Sequence, residues 1–226
     1  LDILFPSLCL HCKKNLGSED HEKIICHQCL YSVGIYDSFF CPVCLRRLPN
    51  GNQCHARAPY LLAPASHYDN EPVKKLIWQF KYENWINAAS PLFEIVKNYL
   101  KALPANFEGF AVVPVPLHKK REWQRGFNQS AVLAALTASH LGLELIKENL
   151  TRIKNTAPHA EMKNYQAREE NISNAFFVSA PEKFAGKNIL LVDDVYTSGA
   201  TLNEAARTLK SCGAKKIIAL VVARAR

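Results

Sequence analysis

The positions of the cysteines restrict the fold of this 226-residue chain more than any other feature. Seven of the eight cysteines lie in the first 54 residues, and the remainder of the chain contains only Cys212. A disulfide scaffold distributes its cysteines over the domain that it links, whereas these occur mainly as pairs separated by two residues. The pairs are Cys9 with Cys12, Cys26 with Cys29, and Cys41 with Cys44, followed by the single Cys54.

The spacing of the pairs predicts bound Zn²⁺. Two residues between thiolates allow a tight turn to present both sulfur atoms to one ion, and two such turns complete a tetrahedral site. A redox dithiol is the alternative, and three pairs in one short segment disfavour it. By sequence order the first site consists of Cys9, Cys12, Cys26 and Cys29. We predict a structural role for the metal, because a segment of this size has little hydrophobic core without it.

A second zinc site is one ligand short in the sequence. Cys41, Cys44 and Cys54 are available, but a second pair would need a cysteine at position 57, where the chain has Arg57. His55 could be the fourth ligand, although adjacent residues chelate one ion awkwardly. Interleaved pairing of the cysteines between the two sites is also open.

The composition excludes several classes of protein. With 48% hydrophobic and 21% charged residues, the chain has an ordinary globular composition and not that of a disordered protein. The longest apolar stretches, such as 217–223, are too short to span a bilayer, and no leader segment opens the chain. We therefore expect a soluble, cytoplasmic protein without membrane insertion. The formal net charge of +8 favours anionic partners.

The order of predicted elements indicates an α/β fold. Residues 1–58 form the metal module, and 59–226 form a second domain. Apolar periodicity predicts helices over 73–80, 91–100, 128–141 and 201–212, and short apolar runs predict strands at 110–115, 143–147, 189–192 and 216–223. Alternating strands and helices predict a parallel sheet covered by helices on both faces. If the module is independent, the second domain should survive the loss of zinc.

A 13-residue segment, 189–201, carries the strongest functional signal. The apolar run 189–192 leads into Asp193 and Asp194, and a loop of small residues then opens a helix. Ligands of parallel sheets bind beyond the carboxyl ends of the strands, where adjacent carboxylates suit a vicinal diol. Backbone N–H groups at the start of the helix suit a phosphate, and Gly199 permits its close approach. The alternative is a capped helix beside a solvated acid pair.

Three other families with similar strands do not fit. A phospho-receiver domain requires an acceptor aspartate on a later strand, and no aspartate follows Asp194. A P-loop requires a glycine where the chain has Pro181, and the sequence contains no Gly-x-Gly-x-x-Gly segment.

Segment 189–201 resembles the phosphoribosyl-pyrophosphate motif of type I phosphoribosyltransferases, and further motifs extend the resemblance to the ComF family of competence proteins. These motifs are Val113-Pro114-Val115-Pro116-Leu117-His118, Arg125-Gly126-Phe127-Asn128-Gln129, Arg152, Arg168 with Asn171, and Ala175-Phe176. The resemblance implies a zinc ribbon followed by a type I phosphoribosyltransferase-like domain, and a role in natural transformation with incoming single-stranded DNA. The chain departs from the family at Arg57, and at His159, where glutamine is frequent.

The resemblance also implies roles for individual residues. Asp193 and Asp194 would hold the ribose hydroxyls, directly or through Mg²⁺ and water. Segment 149–175 would be the mobile loop that closes over the site, carrying Arg152, assigned here as catalytic, with Lys154, His159, Lys163 and Arg168. The 5′-phosphate and pyrophosphate would contact Val195, Thr197, Ser198, Gly199, Ala200, Thr201, Pro116, Leu117 and His118.

The basic segment 118–125 is a candidate nucleic-acid surface. We interpret it as a loop that mixes cations with an aromatic side chain, which suits contacts to phosphates and stacking on bases. The alternative is a solvated loop with its indole packed on the domain. Its candidate residues for binding single-stranded DNA are Lys119, Lys120, Arg121, Trp123 and Arg125.

Two functions are consistent with the whole sequence. The first is a competence protein that binds phosphoribosyl pyrophosphate with Mg²⁺ and acts on single-stranded DNA, with other competence or recombination proteins as further partners. The second is a metabolic phosphoribosyltransferase without a role on DNA. No segment of the sequence can be assigned to an acceptor, so the sequence alone does not predict turnover.

Overall fold

A mostly parallel sheet flanked by helices organises the residues that the structure, a computed structural model, describes: 7–16, 24–83, 85–155 and 171–225. The strands are β1 (Phe39–Phe40), β2 (Arg47–Leu48), β3 (Leu61–His67), β4 (Phe110–Pro114), β5 (Glu144–Leu145), β6 (Leu150–Arg152), β7 (Phe176–Val178), β8 (Asn188–Tyr196) and β9 (Ile217–Arg224). The α-helices are α1 (His27–Tyr31), α2 (Glu71–Tyr82), α3 (Ala89–Ala102), α4 (Lys119–Arg125), α5 (Gln129–Leu141) and α6 (Ala200–Ser211).

The main sheet has the strand order β2-β1-β3-β9-β8-β4-β5. Its neighbours from β3 to β5 pair in parallel, whereas β1 is antiparallel to both β2 and β3. Strands β6 and β7 form a separate antiparallel pair. Helical connections between the parallel strands cover the faces of the sheet, as the alternation of elements in the sequence predicts. No described helix is long and apolar enough to cross a membrane.

Strand β8 shows why an apolar run without alternation predicts a central strand. Leu190 and Val192 belong to one buried cluster, and Ile189 and Leu191 belong to the other. Both faces of the strand are therefore covered, so both sets of side chains are apolar. The strand is longer than the predicted 189–192 and continues to Tyr196, so the two aspartates lie within it.

Strand β3 is absent from the sequence-based prediction. Pro64 stands in its middle, and proline argues against a central strand because it has no N–H to donate. The neighbouring strand β1 pairs with β3 only at Leu62, so that ladder does not extend to the proline. On the other edge β3 pairs along its length with β9, between Leu61 and His67.

The basic segment 118–125 was predicted as a loop and is instead a helix, α4. The ring nitrogen of His118 accepts a hydrogen bond from the Lys120 N–H at 3.3 Å, which caps the first turn. Gly126, with φ of 73°, ends the helix in the left-handed conformation. Local capping therefore produces a short helix, and its seven residues, six of which are polar, show no apolar periodicity that would predict it.

The cysteine-rich module shares its hydrophobic core with the sheet. Cys9, Ile25 and Leu48 belong to the same buried cluster as Leu220 in β9. The Tyr99 hydroxyl of α3 also donates to the Ser38 carbonyl at 3.0 Å. The composition of the chain thus changes at residue 58, but the hydrophobic core and the β1–β3 pairing connect the residues on either side of it.

Candidate functional site

A cavity of about 360 Å³ lies at the carboxyl ends of β4 and β8. Parallel α/β sheets place their ligands at this edge, because successive strands deliver their following loops there. Most of the site residues predicted from the sequence line this cavity: Pro116, Leu117, Arg121, Arg125, Arg152, Asp193, Asp194, Val195, Thr197, Ser198, Gly199, Ala200 and Thr201. His118, Lys119, Lys120 and Trp123 lie outside this lining.

The two aspartates have different partners. Asp193 accepts hydrogen bonds from the Ser130 hydroxyl at 2.7 Å and from the Asp194 N–H at 2.9 Å. Asp194 forms an ion pair with Lys81 of α2, at 2.8 Å between the ammonium and a carboxylate oxygen. The Lys81 and Asp194 side chains are only 19% and 10% exposed. Helices α5 and α2 thus hold one carboxylate each at the cavity wall.

Burial and neighbouring charges shift the pKa values of Asp193 and Lys81. Burial, followed by the charge of Asp194, raises the pKa of Asp193 to about 6. Burial alone would lower the pKa of Lys81, but the two carboxylates outweigh this effect and raise it, so the ammonium stays charged. At neutral pH Asp193 is therefore ionised, and it is close enough to its pKa to respond to mild acid.

The segment that we call the 197–201 loop connects β8 to α6 and includes the first two residues of that helix. Gly199 precedes the first residue of the 12-residue helix and has φ of 79°, a conformation that favours glycine. The Ser198 hydroxyl oxygen accepts from the Ala200 N–H at 3.4 Å. The loop therefore places the amino-terminal end of α6, where unpaired N–H groups favour an anion, at the cavity.

Tyr196 fills the space beneath Gly199. A Cβ atom at position 199 would lie 2.7 Å from the Tyr196 hydroxyl oxygen. That hydroxyl donates to the Pro42 carbonyl at 3.0 Å, which connects the loop to the segment after Cys41. Position 199 thus requires glycine for two reasons: its φ angle is positive, and Tyr196 leaves no space for a Cβ atom.

We expect Gly199→Ala to destabilise the protein more than Gly142→Ala. Both glycines have positive φ, which costs an alanine about 1–2 kcal/mol, but a Cβ at Gly142 meets nothing within 4 Å. The clash with Tyr196 adds about 1–3 kcal/mol of overpacking. Urea unfolding of the two variants measures the difference. Equal losses of stability would show that Tyr196 moves aside and does not restrict the loop.

Arg152 reaches the cavity from β6. Its guanidinium lies 5.8 Å from the centre of the Phe176 ring on β7. Burial, and then the charge of Arg121, lower the pKa of Arg152 to about 10, so it remains a cation at neutral pH. Lys154 donates to the Ser173 carbonyl. The other cations predicted for the mobile loop, Lys163 and Arg168, and also His159, lie outside the described residues.

Helix α4 divides its basic residues between two directions. Arg121 and Arg125 line the cavity, and the Arg125 guanidinium lies 5.7 Å from the centre of the Tyr82 ring. Lys119 and Lys120 are exposed, and Trp123 is 86% exposed. The indole is therefore not packed on the domain, which excludes that part of the alternative interpretation.

Sequence reasoning missed several residues of the cavity wall. Lys81 and Tyr82 of α2 line it, as do Ser130 of α5 and the half-exposed Trp78 of α2. A signal for Lys81 was present in the sequence. It follows Ile77 by four residues, on the apolar face of the helix, where a lysine requires a buried partner.

The cysteines form two clusters in sequence order. In each cluster the ligand atoms lie within 4.8 Å of one another, in the groups Cys9, Cys12, Cys26, Cys29 and Cys41, Cys44, Cys54, His55. The Cys26 N–H donates to the Cys9 sulfur at 3.3 Å, as in a metal-binding turn. The His55 Nδ1 atom lies 3.3 Å from the sulfur atoms of Cys41 and of Cys54. Four thiolates, and three thiolates with an imidazole, are donor sets that fit tetrahedral Zn²⁺.

Comparison with known proteins agrees with both the α/β fold around the cavity and the two cysteine clusters. Residues 128–226 match the phosphoribosyl transferase domain, and residues 1–57 match the double zinc ribbon domain. The predicted fold class is thereby confirmed, and the two clusters together with the ribbon match support structural zinc.

Similar proteins carry names that refer to competence or to DNA utilization. Competence protein F of Haemophilus influenzae is 29% identical over 100% of this chain and 93% of its own length. The DNA utilization protein YhgH of Escherichia coli K12 is 31% identical over 87% and 82%. Competence protein ComFC of Bacillus subtilis is 29% identical over 84% and 79%.

Proposed function

Because this chain belongs to the ComF family of competence and DNA utilization proteins, we propose that its cavity binds phosphoribosyl pyrophosphate and that it acts on incoming single-stranded DNA during natural transformation. The observation that carries the first part is the cavity itself, in which an acid pair and the amino-terminal end of α6 lie side by side. A ligand with a vicinal diol next to a phosphate matches both features.

In this proposal each part of the cavity has one task. Asp193 and Asp194 accept hydrogen bonds from the ribose hydroxyls, and the 197–201 loop binds the 5′-phosphate. The turn at Pro116 and Leu117 faces the pyrophosphate, with Arg121, Arg125 and Arg152 as the nearby cations. The carboxylates are also suitable oxygen ligands for Mg²⁺, which would neutralise part of the pyrophosphate charge.

If the site catalyses transfer, the same cations stabilise the departing anion. Breaking the bond between the anomeric carbon and pyrophosphate leaves positive charge on the sugar and negative charge on the leaving group. Arginines already fixed at the cavity wall meet that negative charge without reorganisation, which is the efficient form of electrostatic catalysis. Arg152 is mostly buried and is the best placed of them, because burial strengthens its interaction with an anion.

We expect Asp193→Asn to weaken the binding of phosphoribosyl pyrophosphate with Mg²⁺ by roughly 10- to 100-fold, since a charged hydrogen bond contributes about 1.5–3 kcal/mol. The variant keeps the size of the side chain and leaves the Asp194–Lys81 ion pair intact. Isothermal titration calorimetry at pH 7.5 measures the loss. An unchanged affinity in a folded variant would remove the diol assignment.

The same titration at lower pH provides an internal check. Asp193 has a raised pKa of about 6, so it is ionised at pH 7.5 and becomes protonated below pH 6. Protonation removes the acceptor charge, so wild-type affinity should fall by up to about tenfold per pH unit below 6. The ligand's own phosphates titrate near pH 6 as well. In Asp193→Asn only the titration of the ligand phosphates remains. The difference between the pH profiles of the wild type and the variant therefore measures the contribution of the Asp193 carboxylate.

The DNA part of the proposal is supported by α4. Trp123 is exposed on the same short helix as the exposed Lys119 and Lys120, and an exposed indole near cations is suited to stack on an unpaired base while the cations contact phosphates. The two inward arginines of the same helix connect this surface to the cavity. We therefore assign Lys119, Lys120 and Trp123 to DNA, and Arg121 and Arg125 to the boundary between DNA and cavity.

Salt dependence separates the contributions of the lysines from that of Trp123. Replacing Lys119 and Lys120 with alanine should weaken binding and flatten the slope of log K against log[salt] by up to about 1.4, since each neutralised phosphate contributes about 0.7. Trp123→Ala should cost roughly 1–3 kcal/mol with no change in slope. Fluorescence anisotropy with a labelled oligonucleotide measures both. A wild-type protein that binds phosphoribosyl pyrophosphate but no DNA would favour the metabolic enzyme.

A further inference from the structure

A second cavity, of about 920 Å³, adjoins the 197–201 loop where the cysteine-rich module meets α6. We call it the junction groove. The segment around the second cluster forms one wall, with Pro42 and Val43, and α6 forms the other. Thr197 and Ser198 line both this groove and the candidate phosphoribosyl cavity. The two cavities are therefore neighbours that share one loop.

The charged residues that line the junction groove are all cationic. Arg57 belongs to the module wall, and Arg207 and Lys210 belong to α6. No carboxylate is among the described residues of its lining. Arg207 pairs at 2.8 Å with Glu204, a mostly buried residue behind the wall, whereas Lys210 donates to the carbonyl oxygen of Lys215, which leaves its charge uncompensated. The groove thus carries a net positive charge.

Arg57 lines the groove at a position where a second cysteine pair would have needed a metal ligand. The His55 ring nitrogen occupies the fourth place beside Cys41, Cys44 and Cys54, so no ligand is needed at position 57. A departure from the family pattern at this position therefore adds a cation to the groove and leaves the donor set complete.

The remaining lining is suited to an extended chain and not to stacked bases. Pro42, Val43 and Leu45 provide an apolar surface, and Tyr196 is the one aromatic residue among the described lining, held beneath Gly199. Cations with apolar surface fit a sugar–phosphate backbone, which is recognised without regard to base sequence.

We propose that the junction groove binds the backbone of single-stranded DNA as the strand passes from α4 across the 197–201 loop. The inference rests on the proposed function and adds a second DNA surface to it. An acidic peptide would also match the charge of the groove. A nucleic acid fits better, because the groove shares Thr197 and Ser198 with a site built for a sugar phosphate, and α4 carries an exposed indole beside that site.

The test is a salt series on the full-length, zinc-loaded protein. Arg57→Ala with Lys210→Ala should weaken the binding of a labelled oligonucleotide and flatten its salt slope by up to about 1.4, for two phosphate contacts. The loss should be the same for poly-dT and mixed sequences, because backbone contacts carry no sequence information. The affinity for phosphoribosyl pyrophosphate should not change, because neither side chain lines that cavity.

The matched control replaces Lys101 and Lys183 with alanine. Both lysines are exposed and lie outside the lining of both cavities, so this variant removes the same formal charge from elsewhere on the molecule. Its salt slope should stay within experimental error of the wild type. Equal flattening in the two variants would reveal a general charge effect and overturn the groove assignment.

The remaining outcomes distinguish this inference from the proposed function. If the wild type binds DNA and the Arg57, Lys210 variant keeps its affinity and slope, the groove is not a DNA surface and α4 alone remains. If that variant loses affinity for a labelled poly-glutamate peptide and not for DNA, the groove binds acidic protein segments. If the wild type binds no DNA, the DNA part of the proposed function and this inference both fail, whereas the assignment of the phosphoribosyl pyrophosphate site is tested separately.

Discussion

Replacing Cys26 and Cys29 with serine is expected to remove one zinc ion per chain and to abolish stable folding of the cysteine-rich module. The two residues supply half of the first cluster. Structural zinc in finger peptides contributes ~10–16 kcal/mol of apparent binding energy, as much as or more than the entire stability of a typical domain. Metal analysis gives the zinc content, and urea unfolding gives the stability.

The effect should extend beyond the module. The composition alone suggests that the second domain survives zinc loss, but Cys9 and Cys29 lie in the same buried cluster as residues of the sheet. Strand β1 also extends the main sheet by pairing with β3. We therefore expect residues 59–226 to unfold at a lower urea concentration in the variant than in the wild type.

Cys212→Ser is the matched control for this experiment. Cys212 is half-buried at the end of α6 and belongs to neither cluster. This variant should keep the zinc content and almost all the stability of the wild type. If the Cys26, Cys29 variant also kept its full zinc content, the assignment of ligands to the first site would be wrong.

Lys81→Met is expected to lower the free energy of unfolding by about 3–5 kcal/mol, the typical cost of removing one partner from a buried ion pair. Asp194, whose side chain is 10% exposed, would lose the ammonium that now lies 2.8 Å from its carboxylate. Methionine preserves the apolar stem of the side chain, so the loss reports on the charge. Urea unfolding at pH 7.5 measures it.

Two further variants separate the contribution of the Lys81–Asp194 ion pair from other effects of the Lys81 substitution. Lys74→Met, on the same helix, breaks an ion pair with Glu71 whose side chains are 54% and 57% exposed, and it should change stability by less than about 1 kcal/mol. Adding Asp194→Asn to Lys81→Met removes the unpaired charge and should restore part of the stability. A Lys81→Met loss no larger than that of Lys74→Met would show that water reaches the Asp194 carboxylate.

Local patterns were sufficient for several elements. The helix predicted over 128–141 begins after Asn128, whose side chain accepts from the Ser130 N–H, and ends at Gly142 with φ of 64°. The helix over 73–80 lies within α2, and the run 189–192 lies within β8. In each case the signal is carried by residues close in sequence: a cap, a period or an apolar run.

Local patterns failed where a distant contact or an unexpected cap decides the structure. Strand β3 forms despite Pro64 because β9 supplies a long parallel partner. Helix α4 forms in a polar segment because His118 and Gly126 cap its two ends. Neither outcome follows from the composition of the segment itself.

The sequence by itself determined the chemistry of this protein: which residues are thiols, which strand carries two adjacent carboxylates and which loop consists of small residues. These properties depend on residue type and short spacing, which the covalent chain sets directly. Only the tertiary structure decided the partners, because contacts between residues far apart in sequence depend on how the sheet is assembled. It grouped His55 with three cysteines, placed Lys81 against Asp194, and joined Tyr196 to Pro42 across 154 residues.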